Sequence, residues 1–159
     1  MDEDVAVRDQ ESVEMGPLLD SLGLLLRLSQ LQSFGAFFRD MEEVGLRPGE
    51  ISVLVLIGQN PGIRQGIVAR TLRVKRAHMA KMMAGMERDG IVSRRAPEDD
   101  RRALELRLTE AGRARLDAVM PVFLEHEARR PATLTRAEEA TLKRLLRKYL
   151  ALPDPEVRP

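Results

Sequence analysis

The feature that most constrains this chain is a change of apolar period at Gly90. Upstream, Ile67, Val68 and Leu72 anchor a short helix over about 65–71. A tight turn, Leu72-Arg73-Val74, leads into a second helix from about Lys75 to Asp89. Downstream the period falls from 3.6 to 2. Ile91-Val92-Ser93-Arg94-Arg95 reads as one strand, and Ala103 to Leu108 alternates Leu104, Leu106 and Leu108 with Glu105 and Arg107. Two short helices joined this closely are a helix-turn-helix, and the hairpin appended to them is a wing. The fold class is therefore mainly α with a small β-hairpin, a winged helix-turn-helix between N- and C-terminal helices.

The flanking segments complete that outline. Residues 1–15 are acidic and lack periodic apolar positions, the pattern of a disordered arm. Gly16-Pro17 opens a long helix, striped by Leu18, Leu19, Leu22, Leu25 and Leu26 and broadened by Leu24, Leu28, Leu31, Phe34, Phe37, Phe38 and Met41. A stripe so wide points to burial against another subunit, with Leu18, Leu22 and Leu25 on the interface; the alternative is the central helix of a larger monomeric bundle. Gly45 stops it, Pro48 starts the next helix with Ile51, Leu54, Val55 and Ile57 inward, and Asn60-Pro61-Gly62 is a turn. Thr109 caps a helix to about Arg129 carrying Leu116, Val119, Met120, Phe123 and Leu124, within which Pro121 predicts a kink or a split. Thr135 and Glu138 form a capping box for a last helix with Leu142, Leu145, Leu146, Tyr149 and Leu150. The expected division is 1–15 arm, 16–44 first helix, 45–109 winged helix-turn-helix, 110–152 C-terminal helices and 153–159 tail.

Composition removes much else. With five aromatic residues and no Trp, base-stacking RNA modules are disfavoured. The absence of Cys excludes disulfides, thiolate metal sites and a Cys nucleophile. His78 and His126 are the only histidines, and neither lies in an H-E-x-x-H spacing. No phosphate-cradling glycine loop and no nucleophile elbow occurs, so no catalytic residue, cofactor or metal is assigned and the chain is read as a non-enzyme. Asp20, Arg27, Gln30, Gln32 and Arg39 interrupt the most apolar stretch, which argues against a membrane span. Without an apolar leader after Met1 the expectation is a cytoplasmic protein.

The net charge of +1 hides an asymmetry. From Arg64 to Arg95 nine basic residues face two acids, Glu87 and Asp89, which suits one surface for a polyanion. On the Lys75–Asp89 helix, Met79, Met83 and Met86, with Met82 beside them, form the packing side. Ala77, His78, Lys81, Ala84 and Arg88 form the outer side, with Lys75 and Arg76 at the N-terminal end that meets base edges in a recognition helix. Arg76 or Lys81 on guanine O6/N7 supplies ~1–3 kcal/mol of discrimination per contact. Arg64, Arg94 and Arg95 join the candidate duplex contacts. His78 is either a reader of bases or a plain surface residue, and His126 is structural or solvated.

The hairpin connection is a second candidate site. Arg101 and Arg102 suit the negative potential of a minor groove, with Asp99 or Asp100 orienting a guanidinium. Pairing of this kind explains Glu98-Asp99-Asp100 better than a metal does. In the first helix, Arg27 and Arg39 punctuate the apolar stripe. They fit the acid or phosphate of a small anionic effector lined by Leu24, Leu28, Leu31 and Phe38, or else they lie in water or pair with acids.

Taken in order, these segments resemble the MarR family of bacterial transcriptional regulators over about 17–150. Met86-Glu87-Arg88-Asp89-Gly90-Ile91-Val92-Ser93-Arg94 is similar to its "LE-x-x-G-L-V-x-R" run, Asp100-Arg101-Arg102 to its D-x-R, and Leu106-Arg107-Leu108-Thr109-Glu110-Ala111-Gly112 to its "v-x-L-T-x-x-G". The resemblance implies a homodimer joined by its first and last helices, which adds Leu142, Leu146 and Tyr149 to the interface. It also implies two winged helices on a near-palindromic duplex operator, with Asp100 and Arg102 as wing residues, and repression relieved by small aromatic anions. Asn60-Pro61-Gly62 and the Leu72–Arg76 run look similar to members that regulate aromatic-acid catabolism, some of which sense acyl-CoA thioesters. Arg47 and the Gly62-Ile63-Arg64-Gln65 opening depart from the family's usual helix caps. The competing readings are a winged-helix protein-interaction module and a constitutive DNA-binding regulator with no effector.

Overall fold

A computed structural model describes residues 13–42, 45, 49–97, 103–129 and 131–153, the side chains of Arg39, Asp40 and Glu42 excepted. Most of the expected arm and tail, Leu46, Arg47, Pro48 and the hairpin tip from Glu98 to Arg102 lie outside the described residues. The chain divides after Arg39 into two units.

The first unit does not hold one continuous helix from Gly16. A 3-10 turn, Gly16–Asp20, ends at Ser21, whose backbone is extended, and α1 then runs Leu22–Glu42. The break has a local cause. The Ser21 hydroxyl accepts from the Leu24 N–H at 3.3 Å, so the side chain caps a fresh helix start. Leu18, Leu22, Leu25, Leu28, Leu31, Phe34 and Phe38 are all exposed, and the Phe34 and Phe38 rings meet tilted with centroids 6.1 Å apart.

The second unit orders α2 (Glu50–Gln59), β1 (Ile63–Arg64), α3 (Gln65–Thr71), α4 (Arg76–Arg88), β2 (Val92–Arg95), β3 (Glu105–Leu108), α5 (Glu110–Ala128) and α6 (Arg136–Tyr149). Its core joins Val53, Leu54 and Ile57 of α2, Val68 and Ala69 of α3, and Met79, Met83 and Met86 of α4 to Val92, Leu106 and Leu116. The methionines fill the irregular space between short elements, as an unbranched thioether does well. Two differences of two positions each separate this core from the expected one. Val53 rather than Val55 is fully buried, and Ala69 is buried while Ile67 is exposed.

The sheet has three antiparallel strands in the order β1-β3-β2, not the two of a simple hairpin. Ile63 pairs with Leu106 and Arg64 with Glu105, and Gly62 and Gln65 N–H groups donate to Leu106 and Leu104 carbonyls at 2.8 Å each. This short strand fastens the start of α3 to the hairpin. β2 pairs with β3 from Val92↔Leu108 to Arg95↔Glu105.

Thr109 caps α5, accepting from the Gly112 N–H at 3.0 Å, and α5 runs unbroken through Pro121. Proline removes one helical N–H and strands the carbonyl four residues back. Both Pro121 and Asp117 lie on the exposed side of the helix, and the helix is not split. The Thr135–Glu138 capping box is formed on both sides, with Thr135 N–H donating to Glu138 Oε2 at 2.7 Å. Hydrogen bonds from Thr135 hold the Glu138 carboxyl below the usual range. No residue of α6 is buried, and Leu142, Leu145, Tyr149 and Leu150 are exposed. Among the described residues no helix is long and apolar enough to cross a membrane.

Candidate nucleic-acid interface

α4 is the element on which the basic surface is built. Met79, Met83 and Met86 fix one side in the core, so helical geometry turns Ala77, His78, Lys81, Ala84 and Arg88 outward, and all five are exposed. Lys75 and Arg76 are exposed at the N-terminal end, where no side chain caps the first-turn N–H groups. Ala77, Ala80 and Ala84 leave the face low enough for close approach by a bulky ligand.

The sheet positions the remaining arginines. Arg64 on β1 and Arg95 on β2 are both register partners of Glu105 on the central strand, which sets two guanidinium side chains either side of one carboxylate. A cleft of about 590 Å³ beside α4 brings Arg64 and Arg76 together with Arg70 of α3. Arg70 was not expected from sequence, although its place in the last turn of a short basic segment was visible. On the other flank of α4 a cleft of about 840 Å³ gathers His78, Lys81, Arg88 and Arg115 with Glu50 and Asp89.

Arg94 has a different situation. Its Nε donates to Glu87 Oε2 at 2.8 Å, and its Nη2 makes a second, short contact with the same oxygen. The pair links the last turn of α4 to β2. It lowers the Glu87 carboxyl below the usual range and raises the Arg94 guanidinium, the hydrogen bond being the main cause in each case. Asp100, Arg101 and Arg102, the expected wing contacts, lie outside the described residues.

The other expected sites are less assembled. Leu28, Leu31, Phe38 and Arg27 of the expected effector site are exposed and Leu24 is half-buried, while the Arg39 side chain is outside the described set. Leu18, Leu22 and Leu25 are exposed, as are Leu142 and Tyr149, with Leu146 half-buried. Among the described residues no His, Asp or Glu cluster is suited to a metal.

This geometry has relatives. The sequence model of the MarR family matches residues 46–104, which include α2 to β2 and end just before β3. A putative transcriptional regulatory protein for the hcr operon of Thauera aromatica is 30% identical over 134 residues, 84% of this chain and 81% of that protein. The chain belongs to the MarR family. Two solved structures of the transcriptional repressor CouR share its fold. The one bound to a 23-mer DNA duplex has a TM-score of 0.79 and 33% identity, covering 87% of this chain and 98% of that one. The one bound to p-coumaroyl-CoA has a TM-score of 0.77 and 31% identity, covering 87% and 97%. The MarR-family relatives are winged helix-turn-helix transcription regulators, and the likeness to CouR supports the expected kinship with regulators of aromatic-acid metabolism.

Proposed function

We propose that this MarR-family chain is a homodimeric, sequence-specific DNA-binding repressor, acting in the cytoplasm and released from a near-palindromic operator by a small aromatic acid or its coenzyme A thioester. The observation that carries this reading is the outward face of α4. Low alanines alternate there with Arg76, His78 and Lys81 on a helix whose other side is locked by methionines. That is what insertion into a major groove requires, and a relative of the same fold has been solved on a duplex. Lys75, Arg76, Ala77, His78 and Lys81 meet the groove, Arg64 and Arg95 meet phosphate, and Asp100, Arg101 and Arg102 form the wing contact. Arg94 acts through Glu87, holding the wing to α4.

Residues 45–109 form the DNA-binding domain, and 16–44 with 110–152 join two copies through the apolar faces that one chain leaves exposed, with 1–15 and 153–159 as arm and tail. Leu24, Leu28, Leu31 and Phe38 receive the aromatic ring of the effector, and Arg27 or Arg39 its anionic end. An effector lowers DNA affinity only by its preference for one of the two states. The test is fluorescence anisotropy of the full chain on a duplex from upstream of its own gene, with p-coumarate or p-coumaroyl-CoA added. Tight, salt-steep binding relieved by either compound is the expected result. Binding indifferent to both overturns the effector half and leaves a constitutive regulator. Absence of duplex binding at low ionic strength overturns the whole in favour of a protein-interaction module.

A further inference from the structure

Among the described residues three helices end with the same backbone device. At the end of α4 the Ile91 N–H donates to the Met86 carbonyl at 2.8 Å and the Gly90 N–H to the Glu87 carbonyl at 3.0 Å. At the end of α3 the Val74 N–H donates to Ala69 at 2.8 Å and the Arg73 N–H to Arg70 at 3.1 Å. At the end of α6 the Leu152 N–H donates to Arg147 at 2.9 Å and the Ala151 N–H to Lys148 at 3.2 Å. Each is a Schellman closure, which needs one left-handed residue just past the helix and favours glycine there. α4 uses Gly90 at φ +71°, but α3 uses Arg73 and α6 uses Ala151, each at φ +52°.

Ala151 shows that a β-carbon in this conformation is tolerated, so backbone strain alone marks nothing. What distinguishes position 73 is the group it carries and where it stands. The residue is exposed, and among the described residues no carboxylate pairs with it. It occupies the turn of the helix-turn-helix, between Arg70 of α3 and Lys75-Arg76 at the open start of α4. Its backbone is pinned on both sides, because Val74 packs on the core and the closure fixes the two N–H groups around it. A guanidinium carried on so fixed a backbone position can pair with two oxygens of one phosphate.

We propose that Arg73 is a phosphate anchor: it clamps a backbone phosphate of duplex DNA at the corner of the helix-turn-helix and so sets the depth and register of α4 in the groove. It is a positioning residue, since phosphate contacts fix orientation while base edges supply specificity. The inference rests on the DNA-binding reading above.

The test uses full-length protein with Arg73→Gly and Arg73→Lys, each titrated with a duplex from upstream of its own gene over a range of salt. Glycine removes the guanidinium and relieves the left-handed strain, so the two effects have opposite signs. Arg73→Gly is expected to melt at an equal or higher temperature than the parent while binding more weakly, with a log–log salt slope shallower by about 1.8, because a homodimer loses one clamp from each copy. Between 50 and 200 mM salt the parent then loses roughly twelvefold more affinity than the glycine variant. Arg73→Lys keeps most of the slope. A parent that binds and an Arg73→Gly protein with the same slope overturn the anchor and leave the DNA-binding reading standing. A parent that ignores the duplex at low salt overturns both.

Discussion

A β-carbon at Gly112 would lie 2.0 Å from the carbonyl oxygen of Ile91, so the first turn of α5 rests directly on the backbone leaving α4. The contact is held by Thr109, whose N–H donates to Ile91 O at 3.1 Å and whose hydroxyl donates to Gly90 O at 2.5 Å. Gly112→Ala must therefore push two pieces of backbone apart, and a loss of about 3 kcal/mol is expected. Gly58 offers a control. A β-carbon there meets the Leu116 Cδ2 at 2.7 Å, the tip of a side chain that can rotate, so Gly58→Ala should cost clearly less. Urea denaturation of both variants checks the order, and an order reversed or equal refutes the close approach.

The ion pair between Arg94 and Glu87 gives stability a defined acid limb. The folded-state pKa of Glu87 is depressed by the Arg94 hydrogen bond, so its contribution is complete above the ordinary glutamate value of about 4.3. It is lost as pH falls through the lower folded value, because protonation then favours the unfolded chain. Glu87→Gln should lower the thermal midpoint near neutrality, where the pair is intact, and flatten the fall below about pH 4, so that the two curves converge in acid. A parent and variant with parallel acid limbs would show that the pair contributes nothing to this dependence.

What was legible in the sequence followed from local chemistry and strong periods. α3 spans Gln65–Thr71 where the pattern placed a helix over 65–71, and the buried and exposed sides of α4 fall where the methionines put them. Thr109 and Thr135 were readable as caps because a cap needs only residues three positions apart. β1 was not readable. Two residues have no period, and Ile63 becomes a strand only by pairing with Leu106, far along the chain. The Glu87–Arg94 contact was hidden for a similar reason, since Gly90 reverses the chain between them. Ser21 did carry a local signal, its capping hydroxyl, but the leucine stripe running through it masked the break. Pro121 left a kink and a split as alternatives; α5 is not split there, because that outcome depends on the surroundings of the stranded carbonyl, which only the fold decides.

Gln65 holds a removable defect in the DNA-binding unit. Its Oε1 is buried at the first position of α3 with no hydrogen-bond partner among the described residues. A buried acceptor left unpaired costs about 1–3 kcal/mol, a penalty an apolar side chain of similar length does not carry. Gln65→Met should therefore raise stability by about 1 kcal/mol. Calorimetry decides, and a variant less stable than the parent would mean that the oxygen is satisfied in solution.

The apolar face of α6 provides the sharpest separation of folding from assembly. Leu142, Leu145 and Tyr149 recur at helical spacing and are 45%, 49% and 63% exposed, so none supports the core of its own chain. Charging this face opens no cavity, and the Thr135–Glu138 box still starts the helix. If the face meets a second copy, an aspartate there must be desolvated without a partner, at a cost of several kcal/mol. Leu145→Asp should keep the parent's helical circular dichroism and melting cooperativity while sedimenting at half the parent's mass. Its duplex affinity should fall by more than one lost phosphate contact explains, because two heads on one body bind the second half-site at high effective concentration. Unchanged mass would place the dimer contact elsewhere. A halved mass with unchanged duplex affinity would show that a single winged helix suffices for binding.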